Sequence, residues 1–298
     1  MAQHAPGAVD ICYEVTGDAG SPAVILVSGL GGQLVSWEEG FWRSIEAAGF
    51  RVVRFDNRDA GLSGPPGETE APGASDLPYT LDDMAGDVAR LMDWLEIDSA
   101  HLLGVSMGGM IVQLVAIHYP DRVRSLTSIM STTGAHGVGM PTAEALSVLA
   151  RRPPTSREEY IAAELENHRV IGSPGYPVED AWRAARAARE YDRSFRPRGV
   201  ARQLGAILAA GDRTEALTRI RVPTLVIHGE ADPLIAPDGG QATAAAIEGS
   251  RLVTIPGMGH EITPPLRGLL MDPLVEHLRE AQSAWRAPGD ARDRGQGR

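Results

Sequence analysis

The sequence predicts an α/β fold: a mostly parallel, doubly wound sheet flanked by helices and interrupted once by a helical insertion. Three observations predict it. Short apolar, β-branched runs recur without strict alternation, as strands buried on both faces require. Amphipathic stretches separate those runs at the pitch of strand–helix units. The alternation stops near Thr133 and resumes near Val222, either side of an Ala- and Arg-rich segment.

Taken in order, the first strand-like stretch is Val9 to Val15, followed by the continuous apolar run Ala23 to Val27, which ends at Ser28-Gly29. Arg51 to Phe55 leads into Asp56-Asn57-Arg58-Asp59, a turn whose polar side chains suit anchoring loops. Leu81, Met84, Val88, Leu91, Met92 and Leu95 fall at helical spacing, with Thr80 as N-cap. Ala100 to Val105 runs directly into Ser106, and Met107 to His118 reads as an apolar helix closed near Pro120. Val123 to Met130, Thr224 to His228 and Arg251 to Ile255 complete the strands. Ala181 to Tyr191 is helical, and Pro141, Pro153-Pro154, Pro174 and Pro177 punctuate the insertion. The expected organisation is a core of residues 1–132 and 218–285, a cap of 133–217, and a polar tail of 286–298.

Composition narrows the function. A chain of 298 residues with 43% apolar and 22% charged residues can bury a sizeable core. The net charge of −11, without a basic stripe, argues against nucleic acid. All 28 basic residues are arginine, so Schiff-base, pyridoxal-phosphate and P-loop lysine chemistry are excluded together. The single cysteine, Cys12, lies in a predicted strand and reads as a buried, inert thiol. No histidine pair has metal-ligand spacing, so neither a metal nor a cofactor is expected. No apolar run approaches the ~18 residues of a membrane span. The N-terminal residues do not read as a signal peptide. The expectation is a cytoplasmic protein acting on a small molecule, with homo-oligomerisation left open.

The chemistry-bearing motif is Gly104-Val-Ser106-Met-Gly108. It follows a buried strand and opens a helix, the context in which small residues allow a tight turn that exposes a serine hydroxyl. A serine hydroxyl needs a base. His260 is the best candidate, in the Gly-rich loop Pro256-Gly-Met-Gly-His260 after a strand; His228, at a strand end, is its strongest rival. The imidazole needs an acid, and Asp232 follows the penultimate strand, with Glu230 and then Asp238 as alternatives. An oxyanion needs two backbone donors. Met107, after the nucleophile, offers one, and Leu30, in Ser28-Gly-Leu-Gly-Gly32, is assigned the other.

With these segments in view, the chain resembles serine-dependent α/β-hydrolases over about residues 8–285. Five segments carry the resemblance: 27–32, 55–63, 104–109, 222–233 and 255–260. It is similar to the carboxylesterase branch that contains the anthracycline methyl esterases. Many relatives have His-Gly where this chain has Ser28-Gly29. The resemblance implies an α/β-hydrolase fold with a helical cap and a carboxylic-ester hydrolase acting through an acyl-enzyme on Ser106. The same residues would serve lactone, carbamate or C–C hydrolysis, or perhydrolysis; a non-catalytic ligand receptor is the reading of another class. Trp37, near the oxyanion loop, could line the pocket or equally pack in the core, and Trp182, in the insertion, is a candidate for substrate contact. Tyr160, Tyr176, Tyr191 and Phe195 could roof a pocket or pack the cap.

Overall fold

The computed structural model describes residues 2–7, 9–64 and 79–286. Eight strands form one sheet in the order β1-β2-β4-β3-β5-β6-β7-β8. They are β1 (Gln3–Ala5), β2 (Ile11–Thr16), β3 (Ala23–Val27), β4 (Arg51–Phe55), β5 (Ala100–Val105), β6 (Val123–Ile129), β7 (Thr224–Gly229) and β8 (Arg251–Ile255). The pairs β1–β2 and β2–β4 are antiparallel; every other pair is parallel.

Period-two side-chain alternation divides the core between two faces. On one, Ile25, Val27, Val53, Leu102 and Leu126 pack with α2 (Leu81–Trp94) and α3 (Met107–His118). On the other, Val24, Leu26, Val52, Leu103, Leu225 and Ile227 pack with α1 (Glu39–Ala47) and the C-terminal helix. Ile25, Leu26, Leu225 and Ile227 are 0% exposed. Each side chain so buried contributes about 1.5–3 kcal/mol. The predicted N-cap forms: Thr80 Oγ1 accepts from the Asp83 N–H, and the Thr80 N–H donates to Asp83 Oδ2.

Between β6 and β7 lie α4 (Ala143–Leu149), α5 (Arg157–Ile171), α6 (Asp180–Arg193), α7 (Pro197–Ala209) and α8 (Thr214–Leu217). Then α9 (Pro237–Ala246) joins β7 to β8, and α10 (Arg267–Ala284) closes the fold. The strand β1 was not foreseen, because three residues carry no periodic signal. Of the expected tail, 287–298 lie outside the described residues. No described helix is long and apolar enough to cross a membrane.

The α4–α8 segment is fastened to the sheet by apolar packing at its C-terminal end, where Ala206 and Leu217 join the sheet core, and by polar contacts elsewhere. Arg193 on α6 pairs with the buried Asp56 at 2.8 Å, and Asp56 also accepts from the Leu34 and Leu62 N–H groups. Arg202 on α7 grips Asp59 through two bonds of 2.6 and 2.8 Å. The two ends of the segment meet at Arg213, whose N–H donates to Thr133 O and whose guanidinium donates to Thr132 O. Within the segment, Tyr160, Tyr191 and Phe195 pack on one another with centroids 4.9–5.6 Å apart.

Candidate active site

Ser106 ends β5 and caps α3 with φ 54° and ψ −120°, a conformation L-residues rarely adopt. Such strain, of order 1–3 kcal/mol, persists only where neighbours over-determine it. Here the Ser106 N–H donates to Ile129 O at 2.9 Å, and Ser131 Oγ donates to Ser106 O at 2.8 Å. The flanking glycines are steric necessities. A Cβ on Gly104 would overlap Gly108 O, and one on Gly108 would overlap Val27 O.

The loops after β7 and β8 bring two partners to the serine. Ser106 Oγ–H donates to His260 Nε2 at 2.9 Å. His260 Nδ1 lies 2.7 Å from Asp232 Oδ2 and donates to it, since an ionised carboxylate only accepts. Asp232 Oδ1 accepts from the Leu234 and Ile235 N–H groups at 2.9 and 3.0 Å, which leaves Oδ2 aimed at the imidazole. Asp232 is 4% exposed.

The rivals have other work. His228 is buried, and its Nε2–H donates to Ile235 O at 2.9 Å, bracing the Asp232 turn. Its Nδ1 has no partner among the described residues, and burial lowers its pKa, as suits a neutral imidazole. Glu230 is exposed and accepts from Thr254 Oγ1; Asp238 accepts from the Gly139 N–H. Cys12 is fully buried, and burial followed by the field of Asp56 pushes its thiol up to about 11.

At the oxyanion loop, Met107 is the first residue of α3, where helix geometry leaves its N–H without an intrahelical acceptor. The Leu30 N–H has no partner among the described residues. Gly29 lies against the nucleophile: a Cβ there would stand 3.2 Å from Ser106 Cβ. Ser28, the departure from His-Gly, has a buried Oγ without a partner, while its carbonyl accepts from Asn57 Nδ2 at 3.0 Å. The turn Asp56 to Asp59 thus anchors loops, as its composition suggested.

Of the two readings of Trp37, the structure shows the packing one: it is buried, stacked on Phe41 with centroids 5.5 Å apart, and packed into the core beside α1. Trp182 is half-buried on α6 with the Arg186 guanidinium 6.0 Å from its ring. A cleft of about 330 Å³ borders the Asp232 turn through Ala231 and Pro233; neither Ser106 nor His260 lines it.

Sequence reasoning missed the residues that hold the histidine loop. The His260 N–H donates to Ile171 O at 2.7 Å, and the Gly259 N–H donates to Ser173 Oγ, which itself donates to Glu261 O. The Glu261 carboxylate, 2% exposed, pairs with Arg183 at 2.9 Å and lies 3.1 Å from His168 Nδ1. Only the placement of Glu261 directly after His260 could have hinted at this. No cluster able to hold a metal occurs among the described residues.

Residues 22–263 match the family model described as the alpha/beta hydrolase fold. The chain belongs to that family. Among relatives of this alpha/beta hydrolase, rhodomycin D methylesterase DnrP of Streptomyces peucetius is 28% identical over 92% of the chain and 96% of its own length. The 3-oxoadipate enol-lactonase 2 of Acinetobacter baylyi is 30% identical, over 78% of the chain and 80% of its own. A solved hydrolase from Pseudomonas aeruginosa superposes with a TM-score of 0.71 at 27% identity, over 95% and 98% of the two chains.

Proposed function

We propose that this alpha/beta hydrolase cleaves carboxylic esters of small apolar or aromatic molecules, methyl esters among them, through an acyl-enzyme on Ser106. The observation that carries this reading is the continuous hydrogen-bonded line from Ser106 Oγ through His260 to Asp232, with bonds of 2.9 and 2.7 Å. Ser106 Oγ attacks the acyl carbon as its proton passes to His260 Nε2. Asp232 holds the ring in the required tautomer and stabilises the imidazolium. The carbonyl oxygen becomes an oxyanion facing the Leu30 and Met107 N–H groups. Collapse of the tetrahedral species breaks the ester C–O bond, and the leaving alkoxide takes the proton from Nε2. Water, deprotonated by His260, then frees the acid from Ser106. The similarity to a methylesterase supports the choice of esters; the enol-lactonase relative supports lactones as a second substrate class on the same residues.

Fluorophosphonate labelling tests the reading. One adduct per chain, on Ser106 and lost in Ser106→Ala and His260→Ala, is the expected result. A wild-type chain that neither labels nor hydrolyses p-nitrophenyl or aryl methyl esters would refute the proposal and favour a non-catalytic receptor. Rates for matched methyl esters and lactones then separate the two substrate classes.

A further inference from the structure

We infer that Gln203, on α7, is a positioning residue for the oxyanion loop; the inference rests on the ester-hydrolase reading above. Gln203 is 0% exposed, and both ends of its amide are engaged. Oε1 accepts from the Gly31 N–H at 2.8 Å, and Nε2 donates to Arg58 O at 2.7 Å. Those partners fix the orientation of the amide, because an N–H needs an acceptor and a carbonyl needs a donor.

The loop is held one peptide unit at a time. Asn57 Nδ2 holds Ser28 O at 3.0 Å and so fixes the 28–29 peptide. The Gly32 N–H holds Gly29 O at 3.1 Å and fixes the 29–30 peptide, which carries the Leu30 N–H. Gln203 fixes the 30–31 peptide. The amide that would face the oxyanion therefore lies between two clamped neighbours, and one clamp comes from outside the sheet. The backbone requires it there. Gly31 has φ 68°, and Val200, three residues before Gln203 on α7, lies where a Cβ on Gly31 would approach to 3.1 Å. With no acceptor for its N–H, this left-handed position would have little to hold it against rotation of the preceding peptide.

A buried glutamine could also serve stability alone, so the test separates orientation from folding. Three chains are compared: wild type, Gln203→Met, which deletes both bonds, and Gln203→Glu, which keeps an acceptor for Gly31. Each is read for kcat and KM on p-nitrophenyl acetate, for inhibition by an aryl trifluoromethyl ketone, and for Tm. The ketone adduct carries the oxyanion, so its affinity reports the hole directly. The expected result is a loss of about 30-fold in kcat for Gln203→Met, below the ~10²–10³-fold for deleting an oxyanion donor outright. KM should stay within about threefold, and ketone affinity should fall in parallel with kcat. Gln203→Glu should recover most of that loss even where its Tm is as low. A kcat that follows Tm across both variants, or ketone affinity unchanged in Gln203→Met, would overturn the inference. If Gln203→Met does not fold, Gln203→Glu alone decides: more than tenfold loss with the Gly31 acceptor retained also overturns it. Failure of the underlying reading is distinct, because wild type itself would then form no fluorophosphonate or ketone adduct.

Discussion

The sheet and the α4–α8 segment are held by different forces. In β3 and β7 every residue is buried, and the interior between sheet and helices is largely apolar. In α5 no residue is buried, and α6 buries only Ala187 and Glu190. The helical segment is joined to the rest through Arg193–Asp56, Arg183–Glu261, Arg202–Asp59 and Gln203–Gly31, and through Ala206 and Leu217 in the apolar core. Apolar burial is indifferent to salt and nearly so to pH; ion pairs and hydrogen bonds are neither. The difference teaches where sensitivity should lie. The sheet sets the position of Ser106, whereas the Leu30 and His260 loops are tied to helices whose attachment combines ion pairs and hydrogen bonds with the apolar packing of α7. Perturbing that attachment should reach the chemistry before it unfolds the core.

The largest expected effects define the sheet-borne half of the comparison. Asp232→Asn should lower kcat by on the order of 10³–10⁴-fold through the wrong His260 tautomer, and Ser106→Ala by at least ~10³-fold. Both should leave Tm near that of wild type, since neither touches the apolar core. Ester hydrolysis and thermal melts on the same preparations check this pairing; retention of a tenth of wild-type kcat would remove the residue from the proposed machinery.

Next in size is the joint between the two regions. Arg193→Met leaves Asp56, 0% exposed, without its cation. Removing one partner of a buried pair costs about 3–5 kcal/mol. The Leu34 and Leu62 N–H groups still solvate Asp56, so the lower end, about 3 kcal/mol by urea titration, is expected. The double change with Asp56→Asn should recover part of it. A loss below about 1 kcal/mol would mean that the helical segment is held by something other than this pair.

Trp182→Ala addresses specificity within the helical segment. If the ring grips part of the substrate, kcat/KM should fall by the equivalent of ~1–3 kcal/mol for bulky aryl esters and hardly at all for acetyl esters. A uniform loss across the series, with lower Tm, would assign Trp182 to packing.

The smallest effect concerns pH, and its sign differs between the regions. In the helical segment, partial loss of solvent followed by the field of Glu190 raises the carboxyl of Glu164, a half-buried residue, from 4.5 to about 7. The folded state then holds more protons than the unfolded state between those values, so this contribution is full below pH 4.5 and is lost as pH rises through about 7. In the sheet core, burial lowers His101 and His277 from 6.5 to about 4. Here the unfolded state binds more protons, so stability is lost as pH falls through that window. Glu164→Gln should therefore gain stability over wild type progressively between pH 4.5 and about 7, measured by urea midpoints. A constant difference would show that Glu164 titrates normally.

The sheet was legible because its signals are local and periodic. Runs such as Ala23 to Val27 and the strand–turn–helix around Ser106 carry their meaning within a dozen residues. Asp232 and His260 were legible for the same reason, as polar residues in short loops just after strands, and they stand within hydrogen-bond reach of each other and the serine. Ser173, Gln203 and Arg213 were not. Their bonds to backbone groups span up to 172 residues of separation, and a single polar side chain has no pattern to betray its partner. Trp37 stayed open between pocket and core because nearness in sequence to the oxyanion loop does not reveal which face of the sheet a side chain joins.

The meeting of the two ends of the helical segment at Arg213 has a consequence for modularity. The chain leaves the sheet after β6 and returns toward β7 through one clasp, where a Cβ on Gly134 would overlap Gly211 O. To the sheet, everything between is a loop whose ends already touch, and closure entropy grows only with the logarithm of its length. The helices α4 to α6 are therefore the part expected to tolerate shortening or exchange, because α7 and α8 place Ala206 and Leu217 in the sheet core. What a graft must reproduce is specific: an acceptor for Gly31, cations for Asp56, Asp59 and Glu261, a carbonyl where Ile171 now meets His260, and the apolar filling that Ala206 and Leu217 give the core.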